Sequence, residues 1–246
     1  MAATPTMGLI IKEQKVSEND RLVTILTEQL GLIRAFVPGA LKLHSKHQSG
    51  TQLLCYARLS VYKGRDTYKI GDAQPVEVFF KLRQNLRALA LAGYFCELLT
   101  MLAPREEPAK DYLQLTLQAL HLLCEDTQPQ PLVKSVYELK ICQFSGYMPD
   151  VSGCSICRRA DVDAPRYDVL RGTVQCQNCG VKTPTCVEIT AGVLTAIRYI
   201  LEQAPGRAFA FRLRQPSLNR LAAVCEQFIL TQTDRSYKTL DFYKTI

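Results

Sequence analysis

"RLVTILTEQLGLIRAFVP" (Arg21–Pro38) holds two runs of Leu, Val, Ile, Thr and Phe, separated by a short break that ends in Gly31. β-Branched and aromatic runs bounded by Gly or Pro read as neighbouring β-strands. The same composition extends outward on both sides. "MGLIIKEQ" (7–14) precedes the pair, and "LLCYARLSVYKG" (53–64), "DTYKIG" (66–71) and "VEVFF" (76–80) follow it. Five or so short strands, with no helical period between most of them, predict a small barrel. The count fits the five-stranded oligonucleotide-binding (OB) barrel. One longer interruption, "GALKLHSKHQSG" (39–50), falls after the third strand.

Beyond residue 80 the period changes. Apolar residues recur every three or four positions over 82–102, 109–126, 131–146, 188–203 and 217–233, which predicts helices. Pro104, Pro108, Pro129 and Pro131 punctuate them, Gly146 is placed to close the third, and Thr190 to cap the fourth. The fold class expected is mixed α and β. An N-terminal OB-fold β-barrel occupies residues 1–80, an α-helical domain 81–150 and 187–246, and an inserted four-cysteine module 151–186.

That module contains Cys154-x2-Cys157 and Cys176-x2-Cys179, with eighteen residues between the pairs. Each Cys-x-x-Cys turn aims two thiolates at one ion, and "RYDVLRGTVQC" alternates enough to form a hairpin that returns the second turn beside the first. The cofactor expected is a structural Zn2+. Four thiolates leave no position for water or substrate, which catalytic zinc requires. The deaminase pattern is also missing, since Val174 and Gln175 precede Cys176. Cys186 lies close enough to be a spare ligand. The remaining cysteines sit in apolar patterns, as small buried hydrophobes do, and a cytosolic chain with ten cysteines does not read as a disulfide scaffold.

No segment reads as a signal peptide or a membrane span, so a cytoplasmic location is expected. Catalytic patterns are equally missing. The three histidines are His44 and His47, in a basic loop without a nearby carboxylate, and His121, which reads as a core or boundary residue. No phosphate-binding loop, metalloprotease helix or nucleophile elbow occurs. No enzyme is expected.

Charge points elsewhere. The formal net charge is +7, and it is unevenly spread: residues 1–90 carry 13 Lys/Arg against 7 Asp/Glu, whereas 91–150 carry 4 against 8. Between Arg34 and Lys69 stand Arg34, Lys42, Lys46, Arg58, Lys63, Arg65 and Lys69 with one acid, Asp66. In "CYARLSVY", Cys55, Ala57, Leu59 and Val61 would face the barrel core, while Tyr56, Arg58, Ser60 and Tyr62 face out. Cations interleaved with Tyr56 and Tyr62 suit phosphate contact and base stacking on single strands. Lys46, Arg58 and Lys63 are expected to converge on one side. The competing readings are a protein-interaction scaffold whose basic charge is incidental, and a zinc-dependent nucleic-acid enzyme.

The chain as a whole resembles the bacterial RecO family of recombination and repair mediators. Ser17, Glu18, Asp20, Arg21, Leu22, Val23, Thr24, Thr27 and Gly31 occupy the positions of that family's S-E-x-D-R-L-V-T-x-x-T-x-x-x-G run. The cysteine segment among helices and the closing "LRQPSLNRLAAVCEQFILTQTDRSYKTLDFY" also fit. The loop "ALKLHSKHQSG" departs from it, because many members carry more Arg there. The resemblance implies binding to single- and double-stranded DNA in response to DNA damage, and annealing of complementary strands. It further implies RecR-assisted loading of RecA onto DNA coated by single-strand-binding protein, in a nucleoid-associated cytoplasmic protein without bond chemistry. The acidic, hydrophobic tail of the single-strand-binding protein would suit a groove rimmed by Arg198, Arg212 or Arg214.

Overall fold

The computed structural model describes residues 3–65, 67–180 and 183–246; Asp66, the one acid of the basic segment, lies outside them. Five strands, β1 (Thr4–Lys15), β2 (Arg21–Thr27), β3 (Gly31–Val37), β4 (Cys55–Lys63) and β5 (Tyr68–Val78), close a barrel in the order β1-β2-β3-β5-β4. All pairings are antiparallel except β3 with β5, which is parallel at Ala35–Tyr68 and Phe36–Lys69. This is the five-stranded OB arrangement. Its core is small and β-branched: Ile10, Val23, Ile25, Ile33, Ala35, Val37, Cys55, Ala57, Leu59, Val61 and Ile70 all point inward.

The two runs "DTYKIG" and "VEVFF" are one strand. The register of β5 against β4 slips twice, leaving Gly71 and Val76 unpaired, and Pro75 stands beside the second slip. Bulges bend a long strand around a narrow barrel, and they accept the Gly and Pro that otherwise signal a break. The ring of Tyr62 lies on Gly71, where a Cβ would stand.

Six α-helices follow among the described residues: α1 (Leu86–Leu102), α2 (Lys110–Glu125), α3 (Gln130–Phe144), α4 (Ala191–Glu202), α5 (Ser217–Thr233) and α6 (Lys238–Thr245). Asn85 caps α1 through Ala88 N–H at 3.0 Å, and Thr190 caps α4 through Val193 N–H at 3.3 Å. Gly146 closes α3 with φ +87°. Contacts divide the chain into two compact units, one of residues up to Cys124 together with Ile246, the other Glu125–Thr245. By contact, α1 and α2 group with the barrel. No helix among the described residues is long and apolar enough to cross a membrane.

In the second unit α3 is the hub. Every residue from Leu132 to Cys142 is buried, including Lys134, Ser135, Glu138 and Lys140. The apolar period predicts one buried face; packing against α4 and α5 buries the polar face as well. The charges survive because they are paired. Lys134 Nζ lies 2.9 Å from Glu138 and 2.8 Å from Glu226, which also pairs with Lys244 of α6. Burial alone would lower the Lys134 pKa, but the two carboxylates reverse this and raise it. Lys140 donates to Gln143 Oε1 at 2.8 Å and to the Leu201 carbonyl at 3.2 Å. His121, expected at the core or its boundary, is instead exposed on α2; the dense leucines around it form the opposite face of that helix.

Candidate metal centre and nucleic-acid interface

The cysteine module is a small sheet of β6 (Asp150–Cys154), β7 (Arg166–Asp168), β8 (Thr173–Gln175) and β9 (Cys186–Glu188), in the order β6-β8-β7-β9. β7 and β8 form the anticipated hairpin. Asp168 Oδ1 accepts from Leu170 and Arg171 N–H in its turn, and Gly172 follows with φ +64°. Each Cys-x-x-Cys pair closes a tight turn. Arg158 N–H donates to the Cys154 carbonyl at 2.8 Å, and Gly180 N–H to the Cys176 carbonyl at 2.9 Å.

The hairpin brings the turns together. The sulfurs of Cys154, Cys157, Cys176 and Cys179 lie within 4.8 Å of one another, with Cys157 and Cys176 3.9 Å apart. Tetrahedral coordination at a metal–sulfur distance of about 2.3 Å separates sulfurs by about 3.8 Å, so the set fits one ion. Its electrostatics ask for a cation. Burial raises the Cys154 thiol, but the N–H groups of Cys157, Cys176 and Ile156 outweigh burial and bring it down to about 6. Hydrogen bonding to Cys176 and Cys157, with burial, pushes Cys179 up to about 12. A divalent ion beside such thiols binds them as thiolates and releases their protons. Cys186 lies on β9 opposite Asp168, outside this cluster.

Helices α4 and α5 hold the module. Arg198 on α4 donates to the carbonyls of Val151 (2.7 Å), Ser152 (3.2 Å) and Ala160 (3.1 Å). Gln232 on α5 donates to those of Val169 (3.1 Å) and Leu170 (3.0 Å), and Tyr167 packs edge-on against Phe228 with ring centroids 5.8 Å apart. Arg198 is therefore a strut for the cysteine turns, and with Met148, Asp150 and Glu202 it also lines a shallow cleft beside them. Arg212 and Arg214 are exposed.

The basic residues of the barrel fall into four places. Lys42 and Lys46 are exposed on the segment between β3 and β4. His47, on the same segment, has its pKa lowered by burial and by Lys46, with Asp72 of β5 opposing, so a carboxylate does stand near it. On β4, Arg58 is exposed between Met7 and Gln74, with Tyr56 half-buried two residues before it. Arg58 and Lys63 do not share a face. They are five residues apart, about 16 Å along a strand, and of opposite parity. Lys63 stands at the barrel mouth and pairs with Glu106 at 3.3 Å. Tyr62 and Lys69 are cross-strand neighbours there, and Arg65 is exposed in the β4–β5 loop.

The fourth place is not legible in the sequence. Register aligns Lys12 of β1, Thr24 of β2 and Arg34 of β3 in one row across the sheet. With Tyr68, Arg105 and Glu106 they line a cleft of about 640 Å³. Among the described residues no carboxylate lies within ion-pair distance of Lys12, Arg34 or Arg105. Unneutralised cations in a cleft beside an aromatic ring form an anion-attracting surface. Of the three cations, the sequence pattern singles out Arg34 alone.

The run from Ser17 to Thr24 has an architectural explanation. Ser17 Oγ donates to Asp20 Oδ2 at 2.8 Å, and Asp20 Oδ1 accepts from Gly39 N–H at 2.8 Å. Those hydrogen bonds, Gly39 first, hold the Asp20 carboxyl below its usual range. Arg21 is 11% exposed, donates to the Thr51 carbonyl at 2.9 Å and pairs with Glu13 at 3.1 Å. Glu13 in turn accepts from Leu53 N–H at 3.1 Å. The β1–β2 hairpin thus clamps both ends of the basic segment 39–53 to the barrel.

Comparison with known proteins agrees with this division. The family model described as "Recombination protein O N terminal" matches residues 1–79, and "Recombination protein O C terminal" matches 83–241. The chain is similar to the protein named DNA repair protein RecO of Acetivibrio thermocellus, 30% identical over 242 residues that cover 98% of this chain and 96% of the relative. It is also similar to proteins of the same name from Symbiobacterium thermophilum, 28% identical over 250 residues covering 100% and 98%, and Caldicellulosiruptor bescii, 26% identical over 246 residues covering all of both chains. With both halves matched and the four sulfurs gathered between the later helices, the chain belongs to the recombination protein O (RecO) family.

Proposed function

We propose that this protein is a DNA-binding mediator of recombination and repair. It binds single- and double-stranded DNA, anneals complementary strands and, with RecR, helps load RecA onto DNA coated by single-strand-binding protein. The observation that carries the reading is the row Lys12–Thr24–Arg34 with Arg105 and Tyr68: cations with no described carboxylate within ion-pair distance, lining an open cleft on an OB barrel. Such a surface lowers the repulsion between two phosphate backbones without reading bases, which is what annealing requires. The barrel, residues 1–80, carries DNA binding with Arg105 of the α1–α2 connector beside it; 81–150 and 187–246 are the helical domain, of which α1 and α2 group with the barrel by contact, and 151–186 is the metal module. The two family matches meet between residues 79 and 83, which supports the first boundary.

The ion suited to Cys154, Cys157, Cys176 and Cys179 is zinc, in a structural role. Thiolate donors and tetrahedral spacing select it, and four sulfurs saturate it. The chain's own contribution is to hold the two turns on α4 and α5 through Arg198 and Gln232. No step of bond chemistry is needed, and the work is that of a cytoplasmic, nucleoid-associated protein. Binding and annealing of plain oligonucleotides at two salt concentrations test the reading. Affinity for unrelated sequences should be similar and fall steeply with salt. Salt-insensitive or undetectable binding would overturn it in favour of an interaction scaffold.

A further inference from the structure

The connector between α1 and α2 is built onto the barrel. Leu32 N–H donates to the Pro104 carbonyl at 2.8 Å, Gly31 and Arg105 form an isolated antiparallel bridge, and Ala109 N–H donates to the Glu28 carbonyl at 3.0 Å. Gly31 has φ +62°, and a Cβ there would run into the carbonyl oxygens of Pro104 and Glu107. Glycine is what lets the connector approach this closely. Arg105 and Glu106 are thereby fixed as one wall of the cleft whose other residues include Lys12, Arg34 and Tyr68.

Glu106 has φ +58°, a conformation that costs energy for any residue with a side chain. Its carboxylate lies 3.3 Å from Lys63 Nζ, and the two side chains are 63% and 65% exposed. So exposed a pair contributes little to stability and exchanges readily. It does, however, engage Lys63 through a carboxylate that lines the cleft, whereas Lys12, Arg34 and Arg105 have no described carboxylate within ion-pair distance.

We infer that Glu106 is an internal stand-in for a nucleic-acid phosphate. It holds Lys63 until a phosphodiester displaces it, while Arg105 joins Lys12 and Arg34 in contacting the neighbouring phosphates. The ligand class is the phosphodiester backbone, and the inference rests on the DNA-binding reading above. Its effect is to weaken binding to short or isolated anions, which cannot engage the three open cations and Lys63 together. A continuous strand can.

The test is a double-mutant cycle on single-stranded oligonucleotide affinity with the full chain. Glu106→Gln should tighten binding about two- to fivefold, the range of an exposed ion pair. Glu106→Gly, which suits the left-handed backbone, should do the same, and Arg105→Ala should weaken binding. The gain should vanish when Lys63→Ala is also present. Glu107→Gln, with the same change in net charge at the adjacent residue, should give a smaller gain that survives Lys63→Ala. Equal gains from Glu106→Gln and Glu107→Gln, or a Glu106→Gln gain that persists without Lys63, would overturn the inference while leaving DNA binding intact. A parent without salt-sensitive binding would overturn both.

Discussion

The barrel cleft and the α3 hub treat the same residue types in opposite ways. In the hub, Lys134 is enclosed by Glu138 and Glu226, and Lys140 by Gln143 and the Leu201 carbonyl. Arg198 is likewise committed to three backbone carbonyls of the cysteine module. In the cleft, no described carboxylate lies within ion-pair distance of Lys12, Arg34 or Arg105, although Glu106 lines the same cleft. Positive charge in a sequence therefore locates nothing by itself. What distinguishes a binding surface is charge that the fold leaves unneutralised, whereas neutralised charge is internal fastening.

The largest expected effect lies on the fastening side. Cys176→Ser should abolish metal binding and unfold the cysteine module, because the apparent binding energy of such a site, about 10–16 kcal/mol, is folding energy. Elemental analysis and thermal denaturation check this. A variant that loses its metal but keeps the parent's melting profile would contradict a structural ion. Next is Lys134→Met, expected to destabilise the second unit by about 3–5 kcal/mol, since it takes the buried cation from Glu138 and leaves Lys244 as the remaining ion-pair partner of Glu226. Denaturant unfolding measures it, and replacing all three charges with apolar residues should recover most of the stability.

Acid should act on the same network. Burial alone would raise the Glu226 pKa, but Lys134 and Lys244 outweigh it, so the carboxyl is held below its ordinary value of 4.5. A depressed carboxyl contributes stability that is present above the unfolded value and lost as pH falls through the folded one. Melting temperature should therefore decline below about pH 4.5, and less steeply in Glu226→Gln. A smaller effect belongs to the barrel clamp. Arg21→Ala should cost about 1.5–3 kcal/mol, as removal of a charge-assisted hydrogen bond does. It should also speed proteolytic cleavage within 39–53; an unchanged cleavage rate would show the segment is held by other contacts.

How much of this is readable from sequence follows from the range of each signal. The barrel is legible because strand alternation is local: Cys55, Ala57, Leu59 and Val61 face inward as the pattern requires. The four-cysteine cluster is legible for the same reason, its geometry being set by two short turns and one hairpin. β5 reads as two strands because Gly71 and Pro75 mimic a break, when in fact they accommodate bulges. Lys134 and Glu138, four residues apart, look like an ordinary solvated helix pair, and only α5 shows that they are buried. α6 escapes recognition because eight residues give too few turns for a period to emerge. The cleft is the least legible part. Lys12, Arg34 and Arg105 come from three distant segments, joined by the β1–β2–β3 register and by the bridge at Gly31.

The central claim is that open cations on the barrel, and not basic charge in general, bind the nucleic-acid backbone. The most direct measurement is the salt dependence of single-stranded oligonucleotide binding for two triple variants with the same change in net charge. One replaces Lys12, Arg34 and Arg105 with Ala; the other replaces the exposed Arg207, Arg212 and Arg214 of the second unit. The first should reduce the slope of log affinity against log salt by about 2, since each phosphate left unneutralised on a single strand lowers it by about 0.7. The second should leave the slope at the parent's value. A slope that falls for the second variant and holds for the first would contradict the account and move the DNA surface to the helical unit.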